Sequence, residues 1–205
     1  MLKTLLVYLH LIATCAAIGT IVITDLRLAA KATGYKVVIP APERFETRMI
    51  SAALALLYLT GACIVYLGLQ DNPAYLDNPK LQAKLVLVAL LTANAFVLHQ
   101  AVFPILQRSS PVSQWTRSAW MTVAGSVSLS NSLWFFCAFL GIARVWNGTV
   151  SLAFVLTIAA VAWGVLFVLV NLMLQLASRD EPKTTPDWID SMKASLSDFA
   201  ELREH

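Results

Sequence analysis

Few side chains in this sequence can do chemistry, and long apolar runs separate them. His10 sits inside Leu5-Leu6-Val7-Tyr8-Leu9-His10-Leu11-Ile12. An ionisable group at the centre of a bilayer costs roughly 2.5 kcal/mol or more without a partner, so such residues mark functional sites by default. An imidazole there can ligate a metal or move a proton. The other groups of this kind are His99, Lys84, Asp25, Asn94, Arg144 and the thiols of Cys63 and Cys137. Lysine and arginine recognise carboxylates and phosphates, while thiolates suit soft metals. Cys15, Cys63 and Cys137 show neither CxxC nor CxxCH spacing, which argues against a zinc site or a covalently attached c-type haem. No phosphate-binding glycine loop, HExxH or Ser/His/Asp pattern is present, so hydrolytic and nucleotide-driven chemistry lacks support.

The elements that must position these groups are membrane helices. The 205 residues are 58% hydrophobic and only 13% charged, with a mean hydropathy of +0.69. A soluble domain carries about 25% charged residues, so a soluble enzyme is excluded. The net charge of +3 is small, and no nucleic-acid partner is expected. About 20 apolar residues span a bilayer, and five segments qualify, at about 4–26, 47–69, 84–106, 118–143 and 151–176. The expected fold is an all-α, integral membrane bundle of five transmembrane helices over residues 1–178. The first apolar run continues past Cys15 to Ile23, too long for a signal peptide, and reads as a retained helix.

Charge placement orients the bundle. Arg27, Lys31, Lys36, Arg44 and Arg48 flank the first connection, Arg108 and Arg117 the third, and Arg179 and Lys183 open the tail. The other side holds only Lys3, Lys80, Lys84 and Arg144. By the positive-inside rule the N-terminus faces outward and the C-terminus the cytoplasm, as in a bacterial cytoplasmic membrane. In the tail, 179–205, Thr185-Pro186-Asp187 reads as a helix start. Ile189, Met192, Leu196 and Phe199 then recur at helical spacing among acidic residues. This amphipathic segment suits packing on the bundle or on a membrane or cytoplasmic partner through 184–205; a partly ordered tail is the alternative.

Helix rise converts sequence position into depth. His10 lies about 9 Å below the outer boundary for a helix starting near Thr4. Lys84 and Arg144 stand at helix ends on that side, and Cys63 and Cys137 return to the same half. His99 lies fifteen residues beyond Lys84, about 22 Å further in. A bis-histidine haem needs both imidazoles at one depth, and His10 and His99 differ by roughly 10–15 Å. Their sharing one iron is not expected. At about 100° per residue, His10, Thr14, Ala17, Ile21 and Thr24 share one stripe, with Asp25 beside it. Thr122, Ser126, Ser130, Cys137, Gly141 and Arg144 share another, and small residues facing inward are what helix packing in lipid needs. Asn94 and Asn131 read equally as interhelical hydrogen-bonding groups, and the cysteines as small buried hydrophobes.

Three stretches carry a family resemblance: Asp25-Leu26-Arg27 closing the His10 helix, Glu43-Arg44-Phe45-Glu46-Thr47-Arg48-Met49, and Ala83-Lys84-Leu85-Val86-Leu87-Val88. Over roughly residues 1–104 the chain resembles the HemJ/CopD-like group of small multi-pass membrane proteins. The resemblance implies haem b, with a first-helix histidine and a third-helix lysine as the functional pair, here His10 and Lys84. The chain departs from the pattern at Asn94 and over Ser128–Trp134, which leaves porphyrinogen oxidation and simple electron transfer both open. In the haem reading His10 is the axial ligand, while Lys84 and Arg144 meet propionates. A copper-handling protein using His10, Cys63 and Cys137 is the second reading. The third is a non-catalytic subunit, or a proton or solute pathway, built on Asp25, Asn94 and His99.

Overall fold

The protein is described by a computed structural model, which covers residues 1–31 and 37–178. Its elements there are all helical. Five helices dominate: α1 (Leu2–Lys31), α2 (Arg44–Asp71), α3 (Pro79–Val97), α4 (Arg117–Ile142) and α5 (Leu152–Ala177). α3 runs on through a π-helical turn, Leu98–Val102, into a last α-helical turn, Phe103–Gln107. With that extension, five helical segments are long and apolar enough to cross a membrane. The amphipathic segment expected at 184–205 lies outside the described residues.

Local chemistry sets the helix starts. Asn78, Thr116 and Ser151 each accept a backbone N–H in the first turn of α3, α4 and α5, which satisfies donors that have no partner within the helix. Pro79 occupies the first position of α3, where its missing N–H costs nothing. This Asn-Pro start places α3 five residues ahead of the expected 84, so Lys80 and Lys84 both lie within the helix. Arg144 does not close α4, which ends at Ile142; it opens a separate 3₁₀ turn, Arg144–Trp146. The π turn also has a covalent cause. Pro104 has no N–H to give the Gln100 carbonyl, and the Phe103 N–H bonds back five residues to Leu98 O.

The long helices alternate in direction. The end of the bundle where α1 and α3 begin, and α2 and α4 finish, is called proximal below; the other is distal. Packing divides the bundle into two units. α1 and α2 form a hairpin that packs mainly on itself, whereas α4 packs on α5 and α3 to make a trio. Ion pairs clamp the hairpin at both ends: Lys3 with Asp71 at 2.9 Å, proximally, and Arg27 with Glu46 at 3.0 Å, distally. Glu46 also accepts the Glu43 backbone N–H at 3.0 Å. α4 is the most enclosed span, with Val123, Ala124, Leu133, Trp134 and Leu140 buried.

Polar side chains stitch the trio. Asn94 donates to Ser126 O at 2.9 Å, Trp163 Nε1 to Ser128 Oγ at 3.2 Å, and Trp120 Nε1 to Asn171 Oδ1 at 2.9 Å. The two units meet along a seam, bridged by Asn131 Nδ2 donating to Asp25 Oδ2 at 2.7 Å and by a Tyr58–Thr92 hydroxyl contact at 2.5 Å.

Asn78→Ala removes the cap of α3 and is expected to destabilise the protein by about 1 kcal/mol. In thermal unfolding of the detergent-solubilised chain this reads as a fall of roughly 2–4 °C, with the helical circular dichroism at low temperature unchanged.

Candidate functional site

The proximal half of the seam gathers His10, Lys84 and Cys137. His10 comes from α1 and is half-buried. Its Nδ1 lies 2.8 Å from Thr60 Oγ1 on α2, and Thr60 is only 2% exposed. The direction of this hydrogen bond can be worked out. A threonine hydroxyl has one proton, and Thr60 Oγ1 gives it to Leu56 O at 2.7 Å. Thr60 must then accept, so Nδ1 carries the hydrogen. In the neutral imidazole that leaves Nε2 with its lone pair. A ring nitrogen held as a donor fixes tautomer and orientation, the arrangement found behind ligating histidines. The ring edge lies against Gly61, where a Cβ would stand 3.7 Å from His10 Cε1.

Across the seam, Lys84 on α3 carries its charge within interaction range of the His10 imidazole and the Cys137 thiol. A Cβ on Gly141 of α4 would stand 3.7 Å from Lys84 Nζ. Lys80, one turn earlier on α3 and 9% exposed, donates from Nζ to Ala143 O at 3.0 Å. It thereby caps the C-terminal end of α4, where the helix dipole is negative. Arg144, exposed, acts electrostatically on Lys80, as Lys80 does on Lys84. Among the described residues no carboxylate comes within 4.0 Å of Lys80, Lys84 or Arg144. The proximal end of the seam is therefore a cluster of three cations beside an imidazole, and what it attracts is an anion.

The remaining candidates fall elsewhere. Cys63 is half-buried on α2, three residues past Thr60. Among the described residues no three His, Cys, Asp or Glu side chains converge as a metal-holding group, so His10, Cys63 and Cys137 are not assembled into one. Asn94 is buried and committed to Ser126 O. Asp25 and His99 line a cavity in the distal half of the seam, which Asn94 does not line. The residues proposed for a proton or solute pathway are thus split between that cavity and the α3–α4 interface. His99 belongs to the π turn, its ring edge-on to Phe103 at 4.8 Å.

Sequence reasoning placed His10 and Lys84 in one layer without finding Thr60 or Lys80. Thr60 had a signal: it is the one aliphatic hydroxyl between 52 and 66 on α2. Lys80 had a weaker one, its place just after Asn78-Pro79 at a helix start. No family model matches the chain, and neither a curated protein nor a solved structure matches it.

Thr60→Val keeps the shape of residue 60 but strands the His10 N–H, for an expected loss of about 1–3 kcal/mol. In a His10→Leu background the same change should cost little, because replacing both partners by apolar groups is nearly neutral. A double-mutant cycle measured by unfolding in mixed micelles checks this; additive losses would show that the two side chains do not interact.

Proposed function

We propose that this is a haem b-binding integral membrane protein with a redox role, holding the haem in the proximal half of the seam. The observation that carries the reading is the His10–Thr60 hydrogen bond at 2.8 Å, which commits Nδ1 and leaves Nε2 as a ligand nitrogen. His10 would bind the iron. Lys84 and Arg144 would take the propionates, since their charges have no carboxylate partner among the described residues. Lys80 is occupied with the α4 terminus, and its contribution is to add to the positive field. When bound, haem supplies one-electron redox chemistry. The chain would supply an oriented imidazole from His10 and nearby basic groups.

Three features favour a bound group over a purely structural role for these residues. His10 and Lys84 come from different packing units, so neither is needed to hold the other's helix in place. Two positively chargeable groups near one another at membrane depth are mutually unfavourable without an anion. The flanking residues Gly61 and Gly141 present no side chain to them. The resemblance to the HemJ/CopD-like group assigns the same pair, His10 and Lys84. In this reading the proximal end faces outward and the distal, arginine-rich end faces the cytoplasm of a bacterial cell. The copper reading draws no comparable support, because its three ligands are not gathered.

The test is an absorption spectrum of the full chain purified from membranes of haem-replete cells. A Soret band in the wild type, lost in His10→Ala, is the expected result. Lys84→Met should retain the band but weaken haem retention on dilution by ten-fold or more. A wild-type protein without a Soret band, or a band unchanged in His10→Ala, overturns the assignment.

A further inference from the structure

The distal half of the seam holds a cavity of about 220 Å³, separate from the His10 layer and sharing no residue with it. Both packing units wall it. Ile21 and Leu54 come from the hairpin, while Leu91, Val127 and Leu174 come from the trio. A strap over residues 37–43 lines its distal end. Ile39, Pro40 and Pro42 line the cavity, and Val37 O accepts the Val112 N–H at 3.0 Å, tying the strap to the trio. Its two prolines bring no N–H that would need a partner there.

The polar groups on this apolar wall can be counted by what they have left to offer. Glu46 lines the cavity, but its carboxylate is engaged by Arg27 and by the Glu43 N–H. Thr24 and Thr47 give their hydroxyl protons to Thr20 O and Glu43 O. Asp25 differs: Asn131 occupies Oδ2, and Oδ1 has no partner among the described residues. In the part of the lining that the π turn contributes, neither ring nitrogen of His99 is hydrogen-bonded among the described residues, and its ring stands edge-on to Phe103. The cavity thus presents a carboxylate oxygen from α1 and an imidazole from the π turn, with the hydroxyls of Ser51 and Ser130 also on its otherwise apolar wall.

This arrangement restricts the ligand. Among the described residues no lysine or arginine lines the cavity, so there an anionic head such as that of a fatty acid would meet Asp25 with no counter-charge from them. A plain acyl chain would leave Asp25 Oδ1 without a hydrogen-bond donor and make no use of His99. A neutral ligand that donates hydrogen bonds from two sides of a small ring satisfies both. An apolar cavity of about 150 Å³ takes a benzene ring, so this one takes a substituted ring. Trp134 and Phe103 supply aromatic surface for it. His99 is exposed on the bundle surface, so a ligand tail has a way out sideways beside it. We propose that the distal cavity is a binding site for a lipid-soluble quinol, with Asp25 and His99 accepting hydrogen bonds from its two ring hydroxyls.

The test uses the full chain in nanodiscs and decylubiquinol as the probe, titrated under argon and followed by quenching of tryptophan fluorescence. Saturable binding is expected in the wild type, at least ten-fold weaker in Asp25→Asn and in His99→Leu, and unchanged in Val86→Ala on the exposed side of α3. Ala95→Trp, which fills the cavity, should abolish it; should that variant fail to fold, the Asp25 and His99 variants decide the matter. The dimethyl ether of the same quinol, which has no hydroxyl to donate, should bind at least ten-fold more weakly. No saturable binding in the wild type, or equal affinity for the dimethyl ether, overturns the proposal. Because the assay reads quinol binding whether or not the protein shows a Soret band, its failure and that of the haem reading are distinguishable.

Discussion

In a hydrocarbon medium no water is available to a polar side chain, so each one must find its partner within the protein. The interior of this bundle follows from that constraint. α4 is bound to α3 through Asn94, to α5 through Ser128 and Trp120, and to α1 through Asn131. These are single hydrogen bonds, each worth about 0.6 kcal/mol on average in a membrane. Their role is as much to select which faces meet as to add stability. The apolar residues around them cannot make that choice, because lipid is as good a neighbour for leucine as another leucine is.

The same constraint explains the split into two units. The hairpin has its own closure, with ion pairs at both ends and His10–Thr60 between them. The Lys3–Asp71 pair is exposed, and such pairs are worth about 0–1 kcal/mol, so the part-buried Arg27–Glu46 and His10–Thr60 contacts are the more consequential links. The trio is closed through α4. Hairpin and trio are joined by fewer polar contacts, chiefly Asp25–Asn131 and Tyr58–Thr92, beside the apolar core in which Ala17, Ile21 and Ala53 meet Leu87, Leu91 and Trp134. Both the cation cluster and the cavity lie along this junction.

The sequence made the spans legible, because length and hydropathy report a transmembrane helix directly. It also separated His10 from His99, because helix rise is constant, and the structure keeps them in opposite halves of the seam. What it could not give was partners. Periodicity assigned His10 to an inward stripe, yet the identity of the facing group depended on how α1 and α2 are rotated, which no local pattern encodes. Lys80 is the same case: a lysine in the first turn of α3 is unremarkable until the C-terminus of α4 arrives beside it. The π turn was written in Pro104, four residues after Gln100, and the shift of α3 to Pro79 was written in Asn78. Both are local signals that a hydropathy window averages away.

Charge along the seam sets what each half can hold. Among the described residues the proximal half has Lys80, Lys84 and Arg144 with no carboxylate within ion-pair distance, and the distal cavity has Asp25 with no lysine or arginine in its lining. If these charges served stability alone, pairing the lysine with the aspartate would remove two costs at once. They are instead kept apart on one interface by several helical turns, from Lys84 near the start of α3 to Asp25 near the end of α1. One small ligand cannot satisfy both halves, since a group that suits the cations would repel the carboxylate. The separation therefore argues for two ligands of opposite character on the same seam, an anion-bearing one at the proximal end and a hydrogen-bond donor at the distal end.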